Sequence, residues 1–352
     1  MDRNTLLAFF LISLVLVFTP KYMEMVSPPP DPGEVNNSLV ADTVKTIDQR
    51  NFTAQNNKPE PRFERKTTLA RLHLSTRDPE KLLSVNTSLY SATLSSVSGG
   101  SFVSFKFNQY FKKDSQFVDI INNKRNLLVN GKDLDGTPLS LNEPWELVSH
   151  EEGFKQKVVF RKELFPEEYV YKTLAFHDDS YVVDVEIDMV EISNNVYRNS
   201  EFAWGGGLSS TEENFDDDVY YFNSYALQGG ELESLKVGSG DSEEVTLNGI
   251  TDWAAIRTKY FAVAIIPENK RSISSVTLSG AGDTTETYGM SFIFDPIEKQ
   301  AFKLYMGPLE YDRVRSLGVS LESIMDFGWS FIRPISKGVL FALKKMHGVI
   351  PN

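Results

Sequence analysis

Between about Lys66 and Pro308 apolar and polar side chains alternate with a period of two, and no other feature limits the fold as tightly. The clearest case is Tyr181 to Met189, where Val183, Val185, Ile187 and Met189 alternate with Asp184, Glu186 and Asp188. Successive side chains of a strand point to opposite faces, so one face of this segment is buried and the other wet. The same pattern sets Val103, Phe105 and Phe107 against Ser104 and Lys106, and Phe302, Leu304 and Met306 against Lys303. Tyr260 to Ile266 is apolar throughout, which predicts a strand covered on both faces and stopped by Pro267. Gly99-Gly100, Asn130-Gly131, Gly205-Gly206-Gly207, Gly229-Gly230 and Gly280-Ala281-Gly282 punctuate these runs as turns. Many strands, frequent turns and no long helical pattern predict a mainly β fold. The expected architecture is a large antiparallel β-sandwich, a super-sandwich of the galactose-mutarotase-like kind.

The flanks read differently. Leu6 to Phe18 holds eleven large apolar residues interrupted only by Ala8 and Ser13. At −0.3 to −0.6 kcal/mol each, they favour the bilayer by roughly 3 to 6 kcal/mol. The run is short for a span, but continuing to Met25 reaches bilayer length, with Lys21 placed to snorkel and Tyr22 at interface depth. No A-x-A-like cleavage site follows, so residues 1–26 are expected to be an uncleaved transmembrane signal anchor rather than a cleaved signal peptide. Residues 27–65, with Pro28-Pro29-Pro30, Asn36-Asn37 and Pro59-Glu60-Pro61, have too few large apolar side chains to bury a core and are expected to be a flexible tether. The sandwich is expected at residues 66–308 and a helical segment at 309–352.

In that last segment Glu310 to Leu317 is expected to form a short helix, and a longer one to begin at Leu321. On the longer one Arg333, Lys337 and Lys344 fall on one side and Phe331, Ile335, Val339, Ala342 and Met346 on the other, with Trp329 at its start. A basic amphipathic helix of this kind suits a bilayer surface, lying in the interface rather than crossing it. The alternative is a terminal helix packed on the sandwich with a solvated basic face. The basic face in an otherwise acidic chain favours the membrane.

Composition excludes several classes of function. A net charge of −12 over 352 residues argues against nucleic acid as a partner, because phosphate binding needs a basic face. Without cysteine there are no disulfides, thiolate metal sites or cysteine nucleophiles. No H-E-x-x-H, G-x-S-x-G or P-loop occurs, and His73, His150, His177 and His347 are scattered. Gly131 to Asn142 has part of a calcium-loop spacing but lacks the first ligand and the final glutamate. Asp216-Asp217-Asp218 is expected to be a solvated cluster rather than a metal site. Trp204, beside three glycines, and Trp253 are the residues that could line a groove, with core packing as the competing role for both. No catalytic residue, metal or cofactor is expected. A sugar epimerase would need a positioned acid and base, and nothing in the sequence places one.

Three stretches in order resemble the bacterial YidC membrane protein insertases. Met1-Asp2-Arg3-Asn4-Thr5-Leu6-Leu7-Ala8 is similar to the start of their first membrane helix. Asp252-Trp253-Ala254-Ala255-Ile256-Arg257-Thr258-Lys259-Tyr260-Phe261-Ala262, followed by Tyr305-Met306-Gly307-Pro308-Leu309, is similar to two strands late in their periplasmic domain. Phe327-Gly328-Trp329 with Ile332, Pro334, Ile335, Leu340, Leu343, Lys344, His347 and Asn352 resembles their interfacial helix. The resemblance implies a non-enzymatic protein of the bacterial inner membrane, anchored once, with its main domain in the periplasm. It implies partners too: nascent membrane proteins, Sec translocon components and the lipid bilayer. In such proteins a hydrophilic groove among five core helices receives the incoming segment, and those helices would follow Asn352, so the sequence corresponds to a portion ending before the groove. The alternative is a membrane-tethered periplasmic sandwich that binds glycans or an envelope protein.

Overall fold

The computed structural model describes residues 79–325 except 122–125, 213 and 283–285. Lys21, Tyr22, Trp329, Arg333, Lys337 and Lys344, the proposed anchor and the tether lie outside the described residues. Within them eighteen strands form three antiparallel sheets. The first has four strands in sequence order, β1 (Leu82–Asn86), β2 (Tyr90–Ser95), β3 (Ser101–Phe111) and β4 (Phe117–Asp119). The second has five, in the order β13 (Ser242–Asn248), β16 (Ile273–Gly282), β17 (Glu286–Phe294), β10 (Ser200–Gly205) and β5 (Leu128–Asn130). The third has nine. They run β12 (Glu231–Leu235), β11 (Asn223–Gln228), β14 (Thr251–Arg257), β15 (Phe261–Pro267), β18 (Gln300–Pro308), then β9 (Val182–Asp188), β8 (Glu168–His177), β7 (Lys155–Phe165) and β6 (Glu146–Glu151).

The sandwich has the nine-stranded sheet on one side and the two smaller sheets on the other. Aromatic rings interlock across the layer. Phe107 of β3 stacks on Phe261 of β15 at 4.7 Å, and Phe202 of β10 meets Phe302 of β18 at 4.8 Å. Phe102 touches Phe176 of the large sheet and Trp204 of the five-stranded one, so all three sheets share one core.

Alternation decides which residues enter it. Val183, Val185 and Ile187 of β9 are buried, with Asp184, Glu186 and Asp188 on the other face. On β3 the predicted phase holds for Phe105 and Phe107 but slips before them: Phe102, not Val103, is buried. A bulge between Thr93 and Leu94 pairs Leu94 with Phe102 and Thr93 with Ser104, and the extra residue turns Val103 outward. β15 is buried along its whole length, as a strand covered on both faces must be. Gly280-Ala281-Gly282 ends β16 instead of forming a turn. Its glycine serves packing, because a Cβ on Gly280 would stand 2.7 Å from Val237 Cγ1.

Helices are short. α1 (Phe215–Val219) precedes β11, and α2 (Tyr311–Ser316) follows β18 within the stretch where a short helix was expected. The longer helix expected from Leu321 does not begin there. Leu321–Ile324 is a single 3-10 turn, and Met325 is extended. Ser320 preceding it is left-handed and its side chain accepts no capping hydrogen bond, so an α-helix has no start signal at this point.

One buried lysine links the three sheets. Lys172 of β8 is fully buried, and its ammonium donates to the carbonyl of Ser98 at 2.9 Å and to that of Leu127. Ser98 lies between β2 and β3 and Leu127 just before β5, so the contact spans all three sheets. Both acceptor residues have left-handed backbones, at φ 54° and 51°. Burial pushes the Lys172 ammonium down to about 7.

Candidate functional site

The outer face of the large sheet carries a dock for the chain's own C-terminal segment. Paired residues of adjacent strands share a face, which puts Ala255, Ala262, Ala264 and Gly307 on the side of Trp253 and Arg257, opposite Phe261. These small residues leave a shallow floor. Trp253 and Arg257 stand at its two ends, four residues apart on β14. The Trp253 indole N–H donates to Val319 O at 2.8 Å, and Arg257 Nη1 donates to Ile324 O at 2.5 Å. Arg257 also donates from Nε to Thr258 O at 3.0 Å and from Nη2 to Lys259 O at 3.4 Å, with its guanidinium 5.5 Å from the Tyr221 ring. A planar guanidinium can serve several carbonyls at once, where an ammonium serves as a point charge. Val314, Leu321 and Ile324 of the segment are buried.

The Tyr305-Met306-Gly307-Pro308 stretch supports this dock. The Tyr305 hydroxyl donates to Pro308 O at 2.5 Å, and its ring crosses Gly307. A Cβ on Gly307 would lie 2.7 Å from Tyr305 Cζ and 3.0 Å from Tyr181 Cβ, so only glycine fits beneath the ring. Beyond it Glu310 accepts from Tyr110 and pairs with Arg313 at 3.1 Å, while the Arg313 guanidinium sits 4.9 Å from the Tyr181 ring. Burial, then the Glu310 hydrogen bond, raises the Tyr110 hydroxyl well above the usual phenol range.

The two tryptophans singled out from the sequence are not brought together. Trp253 is fully buried in the dock. Trp204 is 1 % exposed, its indole N–H donating to Gly207 O at 3.0 Å, and it lies beneath a groove of about 780 Å³ on the outer face of the five-stranded sheet. Asn130, Lys132, Asn142, Tyr197, Glu201 and Ser291 line that groove. Its polar groups are joined to one another: Asn130 Nδ2 donates to Glu201 at 2.8 Å and Asn142 Nδ2 to Asn130 at 2.9 Å.

His150 pairs with Val158, and Val158 with Leu174, on the inner face; His177 pairs with Lys155 on the outer face, where it meets Asp184 at 2.8 Å. These histidines therefore lie on opposite sides of one sheet and cannot act on one substrate atom. Asp218 is buried and accepts from Ser210 Oγ, Thr211 N and Lys259 N at 2.7 to 3.0 Å, so it organises a loop. Among the described residues no group of acidic or histidine side chains is disposed to hold a metal, and no helix is long and apolar enough to cross a membrane.

Lys172 and Arg257 were missed as functional positions in the sequence. The signal was there: Lys172 falls in phase with Val170, Leu174 and Phe176, and Arg257 with Trp253 and Ala255.

Comparison with known proteins bears on the same strands. A family profile of the YidC periplasmic domain matches residues 82–338. The "Membrane protein insertase YidC" of Prosthecochloris aestuarii is 28 % identical over 368 residues, covering 97 % of this chain and 60 % of that protein. That of Chlorobium limicola is 28 % identical over 374 residues, covering 100 % and 62 %. The chain thus spans about three fifths of the length of these relatives. Among solved structures, a putative aldose 1-epimerase from Klebsiella pneumoniae is similar at 12 % identity and a TM-score of 0.44, covering 72 % of this chain and 86 % of that one.

Proposed function

The chain belongs to the YidC family of membrane protein insertases, and from that premise we propose that it is the anchored, periplasmic portion of such an insertase. In this reading residues 1–26 are the anchor, 27–65 the tether and 66–308 the periplasmic sandwich, with 309–352 leading onto the bilayer surface. Its role is mechanical rather than enzymatic. It helps nascent inner-membrane proteins enter the lipid, alone or beside Sec components, by holding a folded domain on the segment that leads to the membrane.

The observation that carries this proposal is the dock. Two hydrogen bonds from β14, from Trp253 to Val319 O and from Arg257 to Ile324 O, fix the stretch before Met325 to the sheet. A loose linker needs no such fixture.

Cells depleted of their own insertase supply the test. This chain joined to the remaining C-terminal part of the Prosthecochloris relative is expected to restore insertion of a reporter membrane protein. Failure by a stably expressed chimera would refute the insertase reading. Recovery of Sec subunits with the chain from solubilised membranes is expected as well, and their absence would remove the Sec partnership alone.

A further inference from the structure

We propose that one end of the sandwich, where β3 and β14 finish and β15 begins, rests on the lipid bilayer, with its exposed aromatic rings seated in the headgroup layer. Among the described residues the exposed phenylalanine and tyrosine rings are Phe111, Phe117, Phe154, Tyr197, Phe215, Tyr220 and Tyr260. All but Tyr197 lie at this end. Phe111 and Phe117 face each other at 4.9 Å across the β3–β4 hairpin. Tyr260 is in the β14–β15 hairpin, and Phe215 begins α1 and Tyr220 follows it, the helix whose Asp218 accepts from Lys259 N. Phe154 precedes β7, whose first residue Lys155 pairs with His177, beside the β8–β9 connection at the same end.

The rings spread from one edge of the large sheet to the other. A compact protein partner would meet a patch; a rim this wide suits a plane. Tyrosine concentrates at the membrane–water boundary because its apolar ring and polar hydroxyl match the two sides, and phenylalanine supplies the apolar face that such interfacial surfaces bury. Two of the tyrosines also carry a lysine. Lys259 Nζ stands 5.0 Å from the Tyr260 ring and Lys236 Nζ 4.7 Å from that of Tyr220, while Lys112 and Lys113 occupy the tip between Phe111 and Phe117. Lysine at this depth keeps its charge among phosphates while its stem lies along apolar surface. Asp114, Glu152, Glu212 and Asp217 share the end, so the attraction does not depend on anionic lipid or on low salt. Ile324 and Met325, the last described residues, lie here beside Arg257 and Lys259, and the sequence expected to lie in the interface follows them. The inference rests on that proposed placement of residues 326–352.

The absence of cysteine makes a direct test possible. Gln116→Cys, Glu298→Cys and Ser336→Cys variants of the full chain are each labelled with an environment-sensitive fluorophore. Each is reconstituted into phosphatidylcholine vesicles containing lipids with a nitroxide at the headgroup or at a shallow acyl position. The label at 116, between Phe111 and Phe117, is expected to shift to the blue and be quenched, equally at low and high salt, and the label at 298, in the β17–β18 connection at the opposite end, to be unaffected. Changing Phe111 and Phe117 together to serine is expected to abolish quenching at 116 while the far-ultraviolet spectrum stays the same. Quenching at 336 without quenching at 116 overturns this inference and leaves the interfacial segment standing. Quenching at neither site overturns both. Equal quenching at 116 and 298 shows no preferred end and also overturns it.

Discussion

Replacing Lys172 with methionine separates its charge from its volume. The wild-type ammonium lies in a dry core, donating to Ser98 O and Leu127 O, and burial lowers it from 10.5 to about 7. At 1.36 kcal/mol per pH unit, holding the charged form in that core costs roughly 5 kcal/mol. The Lys172→Met change relieves the cost but leaves two carbonyls without this donor, at about 1–3 kcal/mol each. The two effects nearly cancel near neutrality, where the variant is expected within about 2 kcal/mol of wild type. The difference appears with pH. Because the folded value is depressed, between pH 7 and 10.5 the unfolded chain holds a proton that the folded chain has released, so wild-type stability rises with pH there. The slope approaches about 1.4 kcal/mol per pH unit and vanishes below the folded value, where both states are protonated. A neutral amine still has two N–H groups, one for each carbonyl. The buried phenols of Tyr90 and Tyr305, both raised by burial, act in the opposite sense and only above pH 10, where the unfolded phenols ionise. Urea unfolding between pH 7.5 and 9.5, followed by the buried tryptophans, is therefore expected to show a rise of roughly 2–3 kcal/mol in wild type that is missing in the variant. Parallel pH curves for the two proteins would refute the role given to Lys172.

Three further substitutions test the packing. Phe261→Ala removes the ring stacked on Phe107 and is expected to cost about 3–5 kcal/mol in urea unfolding, with a cost below about 1 kcal/mol contradicting a shared core. Gly307→Ala drives a Cβ into the Tyr305 ring and is expected to cost about 1–3 kcal/mol, while Tyr305→Ala in the same chain removes the clash, so the double variant loses less than the sum. Asp218→Ala leaves the Thr211 and Lys259 amides without their shared acceptor and is expected to speed amide exchange in residues 209–222 and 258–260 without affecting β7–β9; uniform acceleration would contradict a local role.

The sheet's interior was legible because alternation is a direct image of burial. Val183, Val185 and Ile187 needed no partner strand to be assigned, and the unbroken run before Pro267 announced a strand covered twice. What covers it was not legible, since the C-terminal segment reaches β14 through carbonyls, and carbonyls carry no side-chain signature. Val103 was misplaced because a bulge is a property of two paired strands, and the sequence of one does not reveal the register of the other. Gly280 read as a turn because glycine marks both a bend and a tight contact, and only Val237 opposite it decides between them. The dock was half visible: Trp253 stood out, but Arg257 was given no role. A cation in phase with buried residues, as Lys172 and Arg257 both are, is the signal that separates a structural charge from a solvated one.

The account turns on the dock that ties the sandwich to the segment proposed to lead onto the membrane, and amide hydrogen exchange of the full chain in lipid measures it most directly. Residues 318–325 are expected to exchange slowly, on the timescale of β14, in wild type. They are expected to open in a Trp253→Phe, Arg257→Met double variant, which removes the donors to Val319 O and Ile324 O but keeps the apolar bulk of both side chains in part. Fast exchange of this stretch in wild type, or exchange indifferent to the two substitutions, would contradict a rigid coupling between the periplasmic domain and the bilayer.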